Sequence, residues 1–477
     1  MKNISMYDYD FLYDSYTGGG GYLDGTYLIA HPREEADKLY NRRMLSYYSN
    51  FVKPIVDSLT NPIFRKETVR DWDEKNSMLG EFMNDVDRFG NTMNSFMKQC
   101  CRMAKLYGSV FVFVDNDRDI EQGQRTAIEK RQYPYLYVIK PENVINYRCS
   151  NDGIILEIEF KCGATYSKSF SGYKVMVDTD TWKWTPDTWT VTRSNGVVER
   201  GENSLGFVPI VPVFGTEHDS GDLMPISPLI SIARTNLTIY NLSSELRELL
   251  RNQAFSVLCY PITDEVPIDK ALSSIKVGTN DMLLYDGNVG ARPFFIAPEA
   301  SQAQLLQSEI NRLIEDVYRQ ANLTSVTAVA TKNSGVAKQW DFENTNQVLA
   351  DTAENLEIAE RQIIKFWGAY FNEEIDYKVI YPRDFGIVDI ASELDNVSKA
   401  LALNIGTEFN KQTRIKAAEA YLTGIPDDEY DAVIDEIRKD TMDELMAEAT
   451  KKQVIDQLMP TEEMQGINNQ SKPDEAV

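Results

Sequence analysis

Few residues in this chain are of a type that does chemistry. There are two histidines, His31 and His218, and five cysteines among 477 residues. His31 precedes Pro32 at the foot of a glycine-rich segment, and His218 sits in the turn Glu217-His218-Asp219. A bound metal needs three or four converging ligands, and neither histidine has a histidine or cysteine partner at ligand spacing. Asp115-Asn116-Asp117-Arg118-Asp119 alternates carboxylates as the opening of a calcium loop does. Such a loop needs glycine at its sixth place and a bidentate glutamate at its last, where this chain has Ile120 and Thr126. The spaced glycines from Gly18 to Gly25 follow no strand, which excludes a dinucleotide fingerprint. No G-x-S-x-G elbow and no G-x-x-x-x-G-K-[ST] loop is present, so neither a hydrolase triad nor an NTPase phosphate cradle is indicated. The 73 acidic residues offer no pair that sequence alone can single out. The chain is therefore expected to be no enzyme, with no cofactor and no metal.

Function must then be sought in the elements. The length suggests about three domains. Hydrophobic content of 43% and charged content of 26% are those of an ordinary globular protein. No apolar run approaches the length of a membrane span, and Val110 to Val114 has the length of a strand. Met1 to Asp10 lacks an apolar centre, so no secretory signal is expected. The cysteines (Cys100, Cys101, Cys149, Cys162 and Cys259) are odd in number and scattered, which points to free thiols in a reduced compartment. Net charge is −24 and the isoelectric point near 4.6. Tight binding of nucleic acid comes mainly from lysine and arginine neutralising phosphates, so a broad DNA grip is not expected. An acidic wall that surrounds DNA without holding it remains compatible, as does acidity that serves solubility alone.

Along the chain, residues 1–32 read as a flexible glycine- and tyrosine-rich arm. Glu34 to Asn61 reads as a helix kinked at Pro54, and Met78 to Leu106 as a second helix. Strand signals follow at 109–114, 133–140, 143–147, 154–160, 173–178, 182–192 and 208–214, which gives an α+β domain over 33–222. The second half is helical. A helix over 225–254 carries Leu229, Ile232, Asn236, Ile239, Leu242, Leu246 and Leu249 at three-to-four spacing. Another, over 298–322, carries Leu306, Ile310, Leu313, Val317 and Ala321. Short strands at 255–260 and 282–285, with a small helix at 269–275, occupy the insert between them. A polar loop, Thr324 to Lys338, leads to a long helix over 340–372 and a strand at 377–381. Helices at 394–403, 410–422 and 427–450 precede a polar tail expected to be disordered.

Several short motifs in this order resemble the portal proteins of tailed phages. They are Tyr40 to Arg43, Tyr48 to Asp57 and Pro62 to Lys66; the Gly108 to Asp115 strand; and Pro134 to Tyr147. Pro209 to Phe214, Ser227 to Ile230, Ala233 to Leu237 and Ser334 to Ala337 continue the series. Each is short; their order and spacing over about 35–420 carry the resemblance. It implies a multidomain α+β subunit: a wing (33–222 with 340–390), stem helices (223–254 and 298–322), a clip (255–297), a tunnel loop (323–339), a helical crown (391–455) and a tail (456–477). It implies a homo-oligomeric ring, of twelve subunits in the family, at one capsid vertex of the virion, assembled in the host cytoplasm. Double-stranded DNA is packaged and ejected through the central channel. The implied partners are the terminase large subunit, a head–tail adaptor, and the major capsid and scaffold proteins, with no membrane. Thr331, Lys332, Asn333, Ser334, Gly335 and Lys338 are the DNA-facing candidates of the loop. Arg234, Arg247, Arg251, Arg312 and Arg319 lie mostly off the apolar stripes of the stem helices, as channel charges or as bridges between subunits. The alternatives are another phage assembly protein, adaptor or scaffold, or a metal-dependent phage enzyme.

Overall fold

The computed structural model describes residues 8–73, 77–116, 133–162, 166–168, 174–176, 179–219, 221–254, 257–262, 282–286, 292–296, 300–321, 323, 335–383, 385, 397–403, 405–421, 430 and 432–439. The chain divides into two compact units, 1–385 and 386–477. Helix and sheet are mixed in the first. In the second the described elements are helical, with α9 (Thr407–Tyr421) and further helical residues at 397–402 and 432–439.

The first unit is organised around β2 (Ser109–Asp115), which pairs antiparallel with β11 (Ile210–Phe214) on one side and β3 (Tyr135–Ile139) on the other. Side chains alternate across a strand. Val110, Val112 and Val114 therefore enter one core, while Phe111 and Phe113 enter another. The valine side packs on helices α1 (Tyr9–Thr17), α3 (Val52–Thr60), α4 (Ser77–Asn84), α5 (Met93–Tyr107) and the long α8 (Gly335–Ala369). The phenylalanine side meets Ile158, Phe160 and Trp184 of a five-stranded antiparallel sheet. That sheet runs β10 (Val198–Glu202), β9 (Thr188–Thr192), β8 (Asp180–Trp184), β5 (Ile155–Cys162), β4 (Val144–Cys149). The expected strand at 182–192 is thus a hairpin, turned at Thr185, whose hydroxyl accepts from the Thr188 N–H at 3.0 Å. A small ribbon pairs β6 (Tyr166–Lys168) with β7 (Lys174–Met176).

Three expectations for the N-terminal half are corrected. The arm expected over 1–32 is folded from Asp8 onward. Asp8 caps α1 by accepting from the Phe11 N–H, Gly18 ends it at φ 71°, and Phe11, Leu12, Tyr22 and Leu28 are buried. The glycines serve turns between aromatic anchors, which composition alone does not reveal. Glu34 to Asn61 is two helices, α2 (Ala36–Leu45) and α3, with the break at residues 46–51 and not at Pro54. Pro54 sits in the first turn of α3, where a missing N–H costs nothing. Met78 to Leu106 is likewise α4 and α5, separated by a turn at 85–92 in which Arg88 takes φ 64°. At the end of α5, Gly108 takes φ 96°, and a Cβ there would lie 2.3 Å from the Pro225 carbonyl oxygen. Only glycine fits.

The long helix α8 is tied down by charge. Glu360 is fully buried and accepts from Arg70 Nε at 2.7 Å, from Arg70 Nη2 at 3.1 Å, and from the Tyr377 and Tyr381 hydroxyls. Arg70 lies on β1 (Val69–Asp71), which pairs with β15 (Lys378–Ile380), so the carboxylate joins helix to ribbon. Burial, with the Glu360 charge next, pushes both tyrosine hydroxyls well above their ordinary range. Four donors saturate the carboxylate, which leaves no lone pair for a substrate proton. Glu360→Ala strands a buried guanidinium and is expected to cost about 3–5 kcal/mol, against about 1 kcal/mol for Tyr377→Phe. Urea unfolding of the two variants checks this; equal losses would show that water screens the cluster.

Candidate functional site

Helix α6 (Leu229–Ala254) begins where Ser227 Oγ accepts from the Leu229 N–H at 3.1 Å, with Pro228 between them. A serine cap followed by proline is a strong helix start. Leu229, Ile232, Ala233, Ile239 and Tyr240 of α6 are buried, as are Ile310 and Val317 of α7 (Ala300–Gln320) and Ala321 just after it. The two helices pack side by side. The insert between them holds a three-stranded sheet in the order β13 (Met282–Asp286), β12 (Val257–Ile262), β14 (Phe294–Ile296). Its β12–β13 pairing is parallel and β12–β14 antiparallel. Strand β14 carried no signal in the sequence, being three residues long, and the helix expected at 269–275 lies outside the described residues.

One polar residue on the α6 stripe has a specific task. Asn236 is fully buried; its Oδ1 accepts from the Tyr48 hydroxyl at 2.7 Å and the Phe51 N–H at 3.1 Å, and its Nδ2 donates to the Ser49 carbonyl at 2.9 Å. One turn and a half further on, Asn241 Oδ1 accepts from the Ile29 N–H at 2.8 Å, and its Nδ2 donates to the Tyr27 carbonyl. Arg42 on α2 is buried, grips Glu34 through two nitrogens at 2.8 Å, and donates to the Ile29 carbonyl at 2.6 Å. Tyr22, Tyr48 and Tyr240 pack face and edge above this row. The N-terminal segment is thereby clamped along α6. Sequence reasoning read Asn236 as a stripe position and missed the clamp, since its partners lie about 190 residues earlier.

The candidate arginines fall into two groups. Arg247 on α6 donates to the Leu45 carbonyl at 2.7 Å and lies 4.0 Å over the Tyr47 ring, so it joins the clamp. Arg234 and Arg251 are exposed on the same helix. On α7, Arg312 meets Glu309 and Asp316, and Arg319 meets Asp316, at three- and four-residue spacing. These exposed pairs contribute little stability. Of the loop candidates, Thr331, Lys332, Asn333 and Ser334 lie outside the described residues. Gly335 and Lys338 are corrected: both belong to α8, which starts at Gly335, so the loop expected to reach residue 339 ends sooner. Lys105, unremarked in the sequence, is buried at the end of α5 beside a cavity of about 250 Å³ shared with Asp351 of α8. Burial pushes its amine below the ordinary lysine range, opposed by Cys101 and Asp351.

The two histidines make separate local contacts. His31 Nδ1 accepts from the Arg33 N–H, and His218 stacks on Phe214 with ring centroids 3.5 Å apart. Among the described residues no set of three or more histidine, cysteine, aspartate or glutamate side chains is arranged to hold a metal, and no helix is long and apolar enough to cross a membrane. Cys100, Cys101 and Cys259 are buried free thiols, with Cys149 and Cys162 half-buried. The calcium-loop sequence leaves the described residues after Asn116, and Asp115 itself accepts from the Tyr135 hydroxyl at 2.8 Å.

No protein-family model matches the chain, and no curated protein matches it. Chains of gene transfer agent (GTA) particles are similar in structure. One is from "Neck of empty GTA particle computed with C6 symmetry", with TM-score 0.41, 11% identity, and 84% of this chain and 94% of that one covered. Another, from "Virion of native gene transfer agent (GTA) particle", has TM-score 0.41, 12% identity, and coverage of 85% and 99%. A third, from "Neck of native GTA particle computed with C12 symmetry", has TM-score 0.38, 13% identity, and coverage of 80% and 89%. Scores this low carry no argument about function.

The clamp makes its own prediction. Asn236→Ala leaves buried N–H and hydroxyl groups unpaired and is expected to cost about 1–3 kcal/mol locally. Hydrogen exchange should rise in residues 8–51 while β2 stays protected. Arg42 holds the Glu34 carboxyl below its usual range, so this ion pair stabilises the fold above the ordinary glutamate value of about 4.3 and fails as pH falls further. Exchange at Ile29 should therefore stay slow near neutral pH and quicken only in acid.

Proposed function

We propose that the chain is the subunit of a ring-shaped portal at one capsid vertex of a tailed phage, through which double-stranded DNA is packaged and ejected. The observation that carries the reading is the side-by-side pair α6 and α7, with a small sheet inserted between them in sequence and α8 following. This order coincides with motifs that resemble the portal family on both flanks. Paired helices can line a channel when each subunit presents one such pair to a common axis. The net charge of −24 suits a wall along which DNA slides, because dense lysine or arginine contacts to phosphate would retard it. Arg312 and Arg319, each neutralised within α7, add no free cation to such a wall.

In this reading the chain is no enzyme and holds no cofactor. The insert faces the terminase during packaging and the head–tail adaptor afterwards, while the β2-centred body meets capsid and scaffold proteins. The DNA-facing role that the resemblance implies falls to the segment 324–334, with Lys332 as its phosphate contact.

Mass measurement and negative-stain imaging test the ring. A closed assembly of about twelve copies with a central hole is expected; a monomer or dimer across protein concentrations and salts would remove the proposal. Deletion within 325–334 should leave the ring intact and impair packaging or retention of DNA. Normal packaging by that variant would displace the loop from the channel.

A further inference from the structure

Four charged side chains are buried among the described residues, and three of them are bonded. Arg42 grips Glu34, Glu357 accepts from the Tyr381 N–H and from Arg383, and Glu360 holds Arg70. The fourth is Lys105, in the last turn of α5. It is 6% exposed and makes no hydrogen bond or ion pair with any described residue. Cys101, one turn earlier on α5, is a buried thiol that burial pushes up to about 11, so it supplies no counter-charge. A buried ammonium without a partner is costly, and the amine is accordingly pushed below the ordinary lysine range.

Lys105 lines the cavity of about 250 Å³ that lies where α6 starts and α7 ends. Leu59 of α3, Leu229 and Ile232 of α6 and Val348 of α8 give it an apolar wall. Glu217, Gln320 and Asp351 also line it and are exposed, so its mouth is open to water and acidic. Drug-sized ligands need upwards of about 300 Å³, so the occupant is smaller than these. Charge narrows the choice further. An anion drawn to Lys105 must pass two carboxylates, and a cation drawn to those carboxylates meets the amine. An uncharged molecule with an acceptor oxygen faces neither barrier, and the amine can donate to that oxygen. Lysines desolvated in apolar pockets are the ones that add to carbonyl carbons.

We infer that this cavity is a capture site for a small uncharged aldehyde or ketone, which Lys105 holds as an imine. The lone pair of the neutral amine attacks the carbonyl carbon. A C–N bond forms, the C=O π pair moves to oxygen, and a proton passes from nitrogen to that oxygen. The new hydroxyl then leaves with the second N–H proton as water, and the C=N bond remains. One water is released per adduct, and no oxidant or reductant takes part. The cavity lies within one copy of the chain, so the inference does not depend on the ring.

Propanal is a suitable probe, being uncharged and small. The full-length chain is incubated with propanal and cyanoborohydride at neutral pH, which reduces any imine to a stable secondary amine, and peptide masses locate the label. Lys105 should be propylated about tenfold or more faster than the surface lysines, the reverse of the order that burial alone would give. Val348→Phe narrows the cavity and leaves the amine in place; it should slow labelling at Lys105 and spare the surface lysines. Lys105→Met should lose this label and keep a thermal midpoint at or above that of the parent, because an unpartnered buried charge is removed. Labelling of Lys105 no faster than that of the surface lysines would overturn the capture site. Protection of Lys105 by propanoate at the concentration of the probe would overturn the carbonyl assignment and make the cavity a carboxylate site.

Discussion

Everything in the first unit hangs on β2 being buried on both faces. A strand with one wet face needs polar residues at alternate positions, whereas Ser109 to Val114 is closed to water throughout. Each buried valine or phenylalanine contributes roughly 1.5–3 kcal/mol, so the strand ties two cores together across its own backbone. The valine face collects the helices, and the phenylalanine face collects the five-stranded sheet. Its ladder to β11 and β3 then sets where α8 and the start of α6 must lie. Gly108 matters for the same reason, because it lets β2 begin directly at the end of α5 against the Pro225 carbonyl.

Two polar devices complete what apolar packing cannot specify. Apolar contact is non-directional, so a helix laid on a core can slide or rotate by a turn at modest cost. Glu360 with Arg70, Tyr377 and Tyr381 pins α8 in register with the β1–β15 ribbon, and Asn236 pins α6 against the N-terminal segment. Each group is buried and satisfied, so a shifted packing would leave a charge or an amide unpaired. The placement of α6 is thus supplied from outside the helix pair.

Much of this was legible in the residues. The helix pair, the insert and the β-rich middle followed from period and turn signals, because those patterns reflect which face of an element is buried. The breaks inside 34–61 and 78–106 were not, since the stripe of one helix continues in phase into the next. Phe89, which a single helix over 78–106 would set on its apolar face, is the most exposed large apolar side chain among the described residues. The N-terminal arm was misjudged for the opposite reason: glycines that make tight turns between tyrosines look the same as glycines in a linker. Among the partners that hold it, Tyr240 and Asn241 lie over 200 positions away.

The amino-acid sequence by itself determined the alternation of helical and extended segments, the acidic balance, and the lack of any recognisable catalytic motif. These are local or additive properties, readable from spacing and counting. The tertiary structure decided which polar residues act as locks, which loops are folded, and which aromatic side chain faces water. Such matters depend on pairs brought together from distant parts of the chain, where a hydrogen bond or a buried charge is satisfied or not by geometry alone.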